Sequence, residues 1–424
     1  MLKARLQSIL SGQFIRNMGW LGSAELLNRV LRLGTTVTLA RLLTPYDYGL
    51  AAVILTTQEI ANVFTLRSGI GAKLIQAKEE DLDILCNTAY WMNWILCIGM
   101  FTLQCLVAFP VGWFYGNNAV VLPICIIALN YLLLPTFAVQ GSLIFRENRL
   151  KIPAICNAVQ SGLMNALTIT FALMGMGFWS IVLPILLTVP VWVIINRAHH
   201  PWRPTGKFSL ERWQELANFA ANFLGVELLT KIRANVDYLL VGRFLGIEAL
   251  GMYYFAFNAG LGISLSVIQS FTWSIYPHLC EVKDNLAAMR QRYFKSLKTI
   301  AMIIVPMVLL QASLAPVYVP IVFSQKWVSA IPILILICLS AIPRPFAEAA
   351  SMLLQSVDKG RLDLYWNAIF TGLFIACILG AMQFGIYGVA VSVLVVHVLA
   401  IPLFSLWAKN YVFRFSRPRL APSK

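Results

Sequence analysis

Charge is what this sequence has least of. Asp, Glu, Lys and Arg make up 12% of its 424 residues while 59% are apolar, against roughly 25% charged in an ordinary soluble domain. That balance excludes a water-soluble globule. Histidine is rarer still, and His199, His200, His278 and His397 share no ligand spacing, so no metal site is expected. The eight cysteines fall in or at the edge of apolar segments, without metal-ligand spacing or a disulfide framework, and read as small apolar fillers. No G-x-x-x-x-G-K-[ST] loop is present, which excludes ATP hydrolysis by this chain itself. No cofactor is expected. Sizeable exterior loops, on which membrane-bound sugar chemistry is usually assembled, are also missing, so the chain does not read as an enzyme. The acidic cluster Glu79, Glu80, Asp81 and Asp83 reads as a solvated helix start.

What the sequence has in abundance is apolar runs of about twenty residues, the length a helix needs to cross a bilayer. Hydropathy places spans near 17–41, 48–66, 86–109, 119–141, 152–174 and 178–196. A polar linker, 197–212, precedes six more, near 214–242, 250–275, 299–323, 330–354, 364–383 and 386–408, and a basic tail follows at 409–424. The expected fold is an all-α polytopic membrane protein of about 12 transmembrane helices in two six-helix lobes, 1–196 and 213–408, around a central cavity. Met1–Gln13 is basic and amphipathic and lacks the core and cleavage site of a signal peptide, so the first span is expected to be retained. Tyr and Trp residues near span ends, among them Tyr48, Trp113 and Trp327, read as interface anchors.

The net charge of +15 is not a nucleic-acid footprint, because the basic residues sit in connecting loops rather than on one soluble surface. Sorted by these spans, 25 of the 33 Lys and Arg residues fall on one side and only Arg41, Arg243 and Lys326 on the other. Positive loops stay cytoplasmic, which puts both termini inside, in a bacterial inner membrane.

A shift of 202 residues lays the first span over the seventh: Glu25-Leu26-Leu27 meets Glu227-Leu228-Leu229, Arg29 meets Lys231, and Arg41 and Gly49 meet Arg243 and Gly251. Six spans separate the copies, so the two halves are expected to share one orientation, as a parallel repeat does.

Charges inside the spans are costly, about 2.5 to 3.5 kcal/mol each at mid-bilayer, and usually face a wet cavity or a partner. Glu25, Arg29 and Arg32 lie on one face of the first span; Glu227 with Lys231 and Arg233 with Asp237 are pairs four apart in the seventh. These pairs would neutralise each other locally, yet Arg32 is left over. A spare cation suits a phosphate, and a carboxylate would satisfy it as well. Arg344 stands between Pro343 and Pro345, with Glu348 four residues on. Two prolines must break that helix. Polar patches at Gln58, Glu59 and Asn62, and at Asn157, Gln160 and Asn165, fit interhelical glue and sugar contact equally.

Two stretches carry a family likeness. Leu39-Ala-Arg41-Leu-Leu-Thr44-Pro45-Tyr-Asp47-Tyr-Gly49 resembles the opening motif of bacterial polysaccharide-transporter proteins, and Asp237 through Gly246 with Leu250-Gly251-Met-Tyr253 resembles their second-half signature. These are the oligosaccharide flippases of the multidrug, oligosaccharidyl-lipid and polysaccharide exporter superfamily. The resemblance implies transport of a polyprenyl-diphosphate-linked oligosaccharide across the cytoplasmic membrane by alternating access, for exopolysaccharide, capsule or O-antigen assembly. Membrane lipid and the polysaccharide polymerase machinery are the other partners it implies. Arg29, Arg32, Lys231, Arg233 and Arg344 would then hold the diphosphate, and Glu25, Glu227, Asp237 and Glu348 would tune those cations or carry protons. Many members have fourteen spans, so the last two are expected to be absent. The rival readings are a cation-coupled multidrug exporter, a membrane polymerase or ligase of the same pathway, and a scaffold that recruits partners through its basic loops.

Overall fold

The computed structural model describes residues 31–283 and 285–415, and among them the only regular structure is helix. Glu25 and Arg29 lie outside the described residues. Two compact units divide between Ile232 and Arg233, so the segment 197–212 lies in the first of them.

In the first unit α1 covers 31–42, α2 Pro45–Val63, α3 Arg67–Gln76, α4 Leu82–Tyr115 and α5 Val121–Ala128. After one short turn come α6 (Pro135–Arg146), α7 (Lys151–Leu173), α8 (Trp179–Thr188), α9 (Pro190–His199) and the start of α10 (Trp213–Leu245). Proline explains several of these boundaries: Pro45, Pro135 and Pro190 each stand at the first turn of a helix, where a missing N–H costs nothing. The 54° bend between Asn118–Leu133 and Pro135–Arg146 falls at one of them.

The second unit takes the rest of α10, then α11 (Ile247–Cys280), α12 (Leu286–Tyr318), α13 (Ile331–Leu339), α14 (Arg344–Ser356), α15 (Gly360–Ala381) and α16 (Gly385–Asn410). Its element order echoes the first. Thr44 and Gly246, 202 positions apart, are the N-caps of α2 and α11, and both units break their fourth expected span, at Pro135 and at 340–343. Gly246 sits at φ 91°, in a region that side chains other than glycine rarely enter.

A helix lies on every expected span, the first being described from residue 31. Among the described residues six helical stretches are long and apolar enough to cross a membrane, or up to eight if each bent pair is one span. One of the six, Gly360–Phe413, contains α15 and α16, which pack on each other. The protein is therefore an all-helical multi-pass membrane protein. Its outward faces suit lipid: Leu106, Phe109 and Trp113 on α4 and Leu399 and Leu403 on α16 are exposed.

Two expected interface anchors belong to the core instead. Trp327 is fully buried and stacks on Phe255 at 3.9 Å, and Tyr48 is buried in α2. The cysteines behave as fillers: all eight are free thiols, and Cys86, Cys97, Cys156 and Cys338 are buried.

Candidate functional site

The opening motif turns out to be a fold device. Thr44 caps α2 through its side chain, accepting from the Asp47 N–H at 3.2 Å, while Asp47 Oδ2 accepts from the Thr44 N–H at 3.0 Å. This reciprocal capping box satisfies donors that every helix start leaves open. The second oxygen of Asp47 accepts the Phe178 N–H at 3.1 Å. Gly177, at φ 55°, admits this contact: a β-carbon there would stand 2.7 Å from Asp47 Oδ1. The motif thus pins α2 to the loop before α8.

The polar patch on α2 is split by the helix's own geometry, since successive residues point about 100° apart. Gln58 faces inward. It accepts from Gln104 Nε2 at 2.7 Å and donates to Asn62 at 3.1 Å, while Gln104 accepts from the Tyr131 hydroxyl at 2.9 Å and donates to the Ile124 carbonyl at 3.1 Å. This buried knot joins α2, α4, α5 and the turn after it. The α7 patch works alike, with Asn165 accepting from Thr35 at 2.7 Å and Gln160 accepting from the Trp192 indole at 2.6 Å.

Glu59 points the other way and meets Lys231 of α10, Oε2 to Nζ 3.1 Å, with both side chains partly exposed, 48% and 38%. One turn earlier on α10, Glu227 accepts from Ser68 Oγ at 3.3 Å. Arg32, on α1, is exposed. In the first unit the structure thus brings Lys231, Glu227, Glu59 and Ser68 to one corner.

The second unit collects the other candidates. Arg233 and Asp237 do not form the pair their spacing suggests. Arg233 donates to Asn367 of α15, which in turn donates to Asp363 at 3.1 Å, and Asp363 also accepts from Gln355 of α14 at 2.9 Å. Asp237, only 4% exposed, accepts from the Tyr253 hydroxyl at 2.8 Å and from the Tyr238 N–H at 3.0 Å. Arg344 opens α14 after the break, with its guanidinium 5.9 Å from the Phe257 ring and its Nε buried without a partner. It lies within electrostatic range of Asp237 and Arg233, and half-buried Glu348 is within range of both arginines. His397, which looked isolated in sequence, is buried edge-on against Phe370 and Phe374 within range of Arg344 and Arg233.

The site residues expected from sequence did not include Asn367, Asp363 and Ser68, and Tyr253 entered only as the end of the second-half signature. Sequence reasoning also misplaced Arg67. Hydropathy put Arg67 in a loop after residue 66, whereas the stretch Pro45–Gln76 continues through it, turning at Leu66 (φ 54°), and its guanidinium lies 5.3 Å from the Phe137 ring.

Outside the spans, the acidic cluster is tied down rather than merely solvated. Asp81 meets Arg212 at 2.5 Å, Glu79 meets Arg146 at 2.7 Å, and Glu215 is held by Arg212 at 2.6 Å and Lys73 at 2.7 Å. Hydrogen bonds from Lys73 and Arg212 hold the Glu215 carboxyl below the usual carboxylate range. Glu147 is likewise lowered, first by its hydrogen bond from Arg149 and further by His200. The segment 197–212 is strapped on as well: Trp91 and Thr88 donate to the Lys207 and Glu211 carbonyls at 2.8 and 2.7 Å.

Helices that span a membrane, carrying ionised side chains bonded inside their apolar stretches, are the build of a membrane transporter. The chain belongs to the polysaccharide biosynthesis protein family, whose model matches residues 38–332. Among its relatives it is 25% identical over 326 residues to the teichuronic acid biosynthesis protein TuaB of Bacillus subtilis (strain 168), covering 76% of this chain and 66% of TuaB, so just under two thirds of that protein is spanned. It is 24% identical over 396 residues to the lipopolysaccharide biosynthesis protein WzxC of Escherichia coli (strain K12), covering 90% and 77%. Among solved structures its fold is similar to the lipid II flippase MurJ in an inward closed conformation, with a TM-score of 0.75, 13% identity and coverage of 92% and 87%. An inward-facing multidrug resistance MATE family transporter matches with a TM-score of 0.68, 14% identity and coverage of 91% and 94%.

Proposed function

We propose that this protein is a flippase for a lipid-linked oligosaccharide, carrying a polyprenyl-diphosphate-linked repeat unit from the cytoplasmic to the periplasmic leaflet of a bacterial inner membrane, with both termini in the cytoplasm. Transport is by alternating exposure of the headgroup site, in a twelve-span chain built as a six-span duplication, and involves no covalent chemistry.

Donors left open on the membrane helices carry this reading. Arg32 is open to solvent, and Arg344 keeps a buried donor without an acceptor. A buried unpaired donor is costly unless a ligand takes it, and a diphosphate offers the oxygens that guanidinium and ammonium groups bind. The family and the names of the relatives, in teichuronic acid and lipopolysaccharide biosynthesis, point to the same class of cargo. Glu59, Glu227 and Asp237 would keep the cations from being trapped by any one anion.

The test is translocation of a radiolabelled polyprenyl-diphosphate oligosaccharide in proteoliposomes, wild type against Arg32→Ala and Arg344→Ala at matched folded protein. Wild-type flipping that either variant loses supports the reading. Wild-type protein that moves no such lipid but exports a cationic dye would replace it with a drug exporter.

A further inference from the structure

Arg67 is a charged group that the reading above leaves unused. It is the first residue of α3, placed there by the turn at Phe64–Leu66 that splits the stretch Pro45–Gln76. Its guanidinium lies over Phe137 of α6, and its field reaches Cys97, near the middle of α4.

Three observations set it apart from a structural cation. Among the described residues Arg67 has no ion pair, and its guanidinium donates no hydrogen bond; the aromatic face of Phe137 is its one polar contact. The two carboxylates of that corner are already engaged, Glu59 by Lys231 and Glu227 by Ser68, the residue next to Arg67. Finally, the side chain is exposed, so its donors are open to a ligand. An aromatic face stabilises a guanidinium without consuming its donors. Those donors stay in plane and available, beside a helix start that no side chain caps and whose backbone dipole also favours an anion.

We infer that Arg67 is a phosphate-binding residue: its planar fork and the first turn of α3 take the diphosphate of the lipid carrier, with Phe137 holding the guanidinium in place. This rests on the flippase reading and adds a cation that lies on a different helix from those expected to bind. It also gives the excess of donors a geometric reason, since a diphosphate presents oxygens on two phosphorus centres.

The experiment is equilibrium binding by the full chain in nanodiscs, using undecaprenyl diphosphate without sugar, the matching polyprenol, and inorganic pyrophosphate as competitor. Wild type, Arg67→Gln and Arg67→Lys are compared, with a melting temperature for each. Arg67→Gln should weaken diphosphate binding at least about tenfold, Arg67→Lys less, and neither should change polyprenol binding. Competition by millimolar pyrophosphate assigns the contact to the phosphates, whereas its failure to compete alongside an intact Arg67 effect assigns it to the phosphate anchored on its lipid. If Arg67→Gln binds the diphosphate as wild type does, this inference is overturned and the flippase reading stands. If wild type prefers the diphosphate no more than the polyprenol, both fall.

Discussion

The carboxylate of Asp237 accepts a 2.8 Å hydrogen bond from the hydroxyl of Tyr253, across the Gly246 turn that separates α10 from α11. The two residues bracket the second-half signature, so its two ends are one contact. Removing the hydroxyl leaves a buried carboxylate one donor short, at a cost of about 1 to 3 kcal/mol. Tyr253→Phe should lower the melting temperature of the purified protein, and Asp237→Asn should lower it less, because an amide oxygen still accepts. Equal melting of Tyr253→Phe and wild type would show the contact to be idle.

Asp47 serves both a helix cap and the Phe178 N–H, whereas Thr44 serves the cap alone. Cap losses cost about 0.5 to 2 kcal/mol, so Asp47→Ala should destabilise more than Thr44→Ala in thermal unfolding. Gly177→Ala should match Asp47→Ala, since it both enters the space of the carboxylate and strains a φ of 55°.

For Lys231 and Glu59 the decisive quantity is coupling. If Lys231 binds cargo while Glu59 only restrains it, Lys231→Ala should slow translocation at least about tenfold, and Glu59→Gln should change it by less than about threefold. Lys231→Arg should keep most of the rate. Matching losses in both single variants, not deepened in the double, would assign the pair to structure.

The ion pairs of Glu215 and Glu147 make stability depend on acid. Hydrogen bonds lower the folded-state carboxyls of Glu215 and Glu147. Their contribution is therefore present above the unfolded carboxylate range, near pH 4.3 for a free Glu, and is lost as pH falls through the lower folded values. These side chains are partly exposed, 34% and 44%, so each pair contributes little and salt screens it. Melting temperature should be flat from about pH 5 to 8 and drop below about pH 4, with a shallower drop in Glu215→Gln and at high salt.

Where helices lie was readable because a run of twenty apolar residues has few alternatives in a bilayer. Partners were less readable. Arg233 and Asp237 are four apart, yet Asn367 and Tyr253 reach them first, and those arrive from helices that spacing along one element cannot see. Arg67 was misplaced for a local reason: a left-handed Leu66 lets the chain turn and resume a helix, a conformation that leucine does not advertise. The α2 patch gave composition without direction, so Gln58 and Glu59 looked alike until one faced Gln104 and the other Lys231.

The fit of Gly177 against Asp47 also constrains descent. A lineage that replaces the glycine while the carboxylate remains meets both the crowding and the strain of φ 55°, whereas one that first shortens position 47 meets only the strain. Substitution at these two sites should therefore be ordered, with 47 changing before 177, and reconstructed ancestors should never show the reverse.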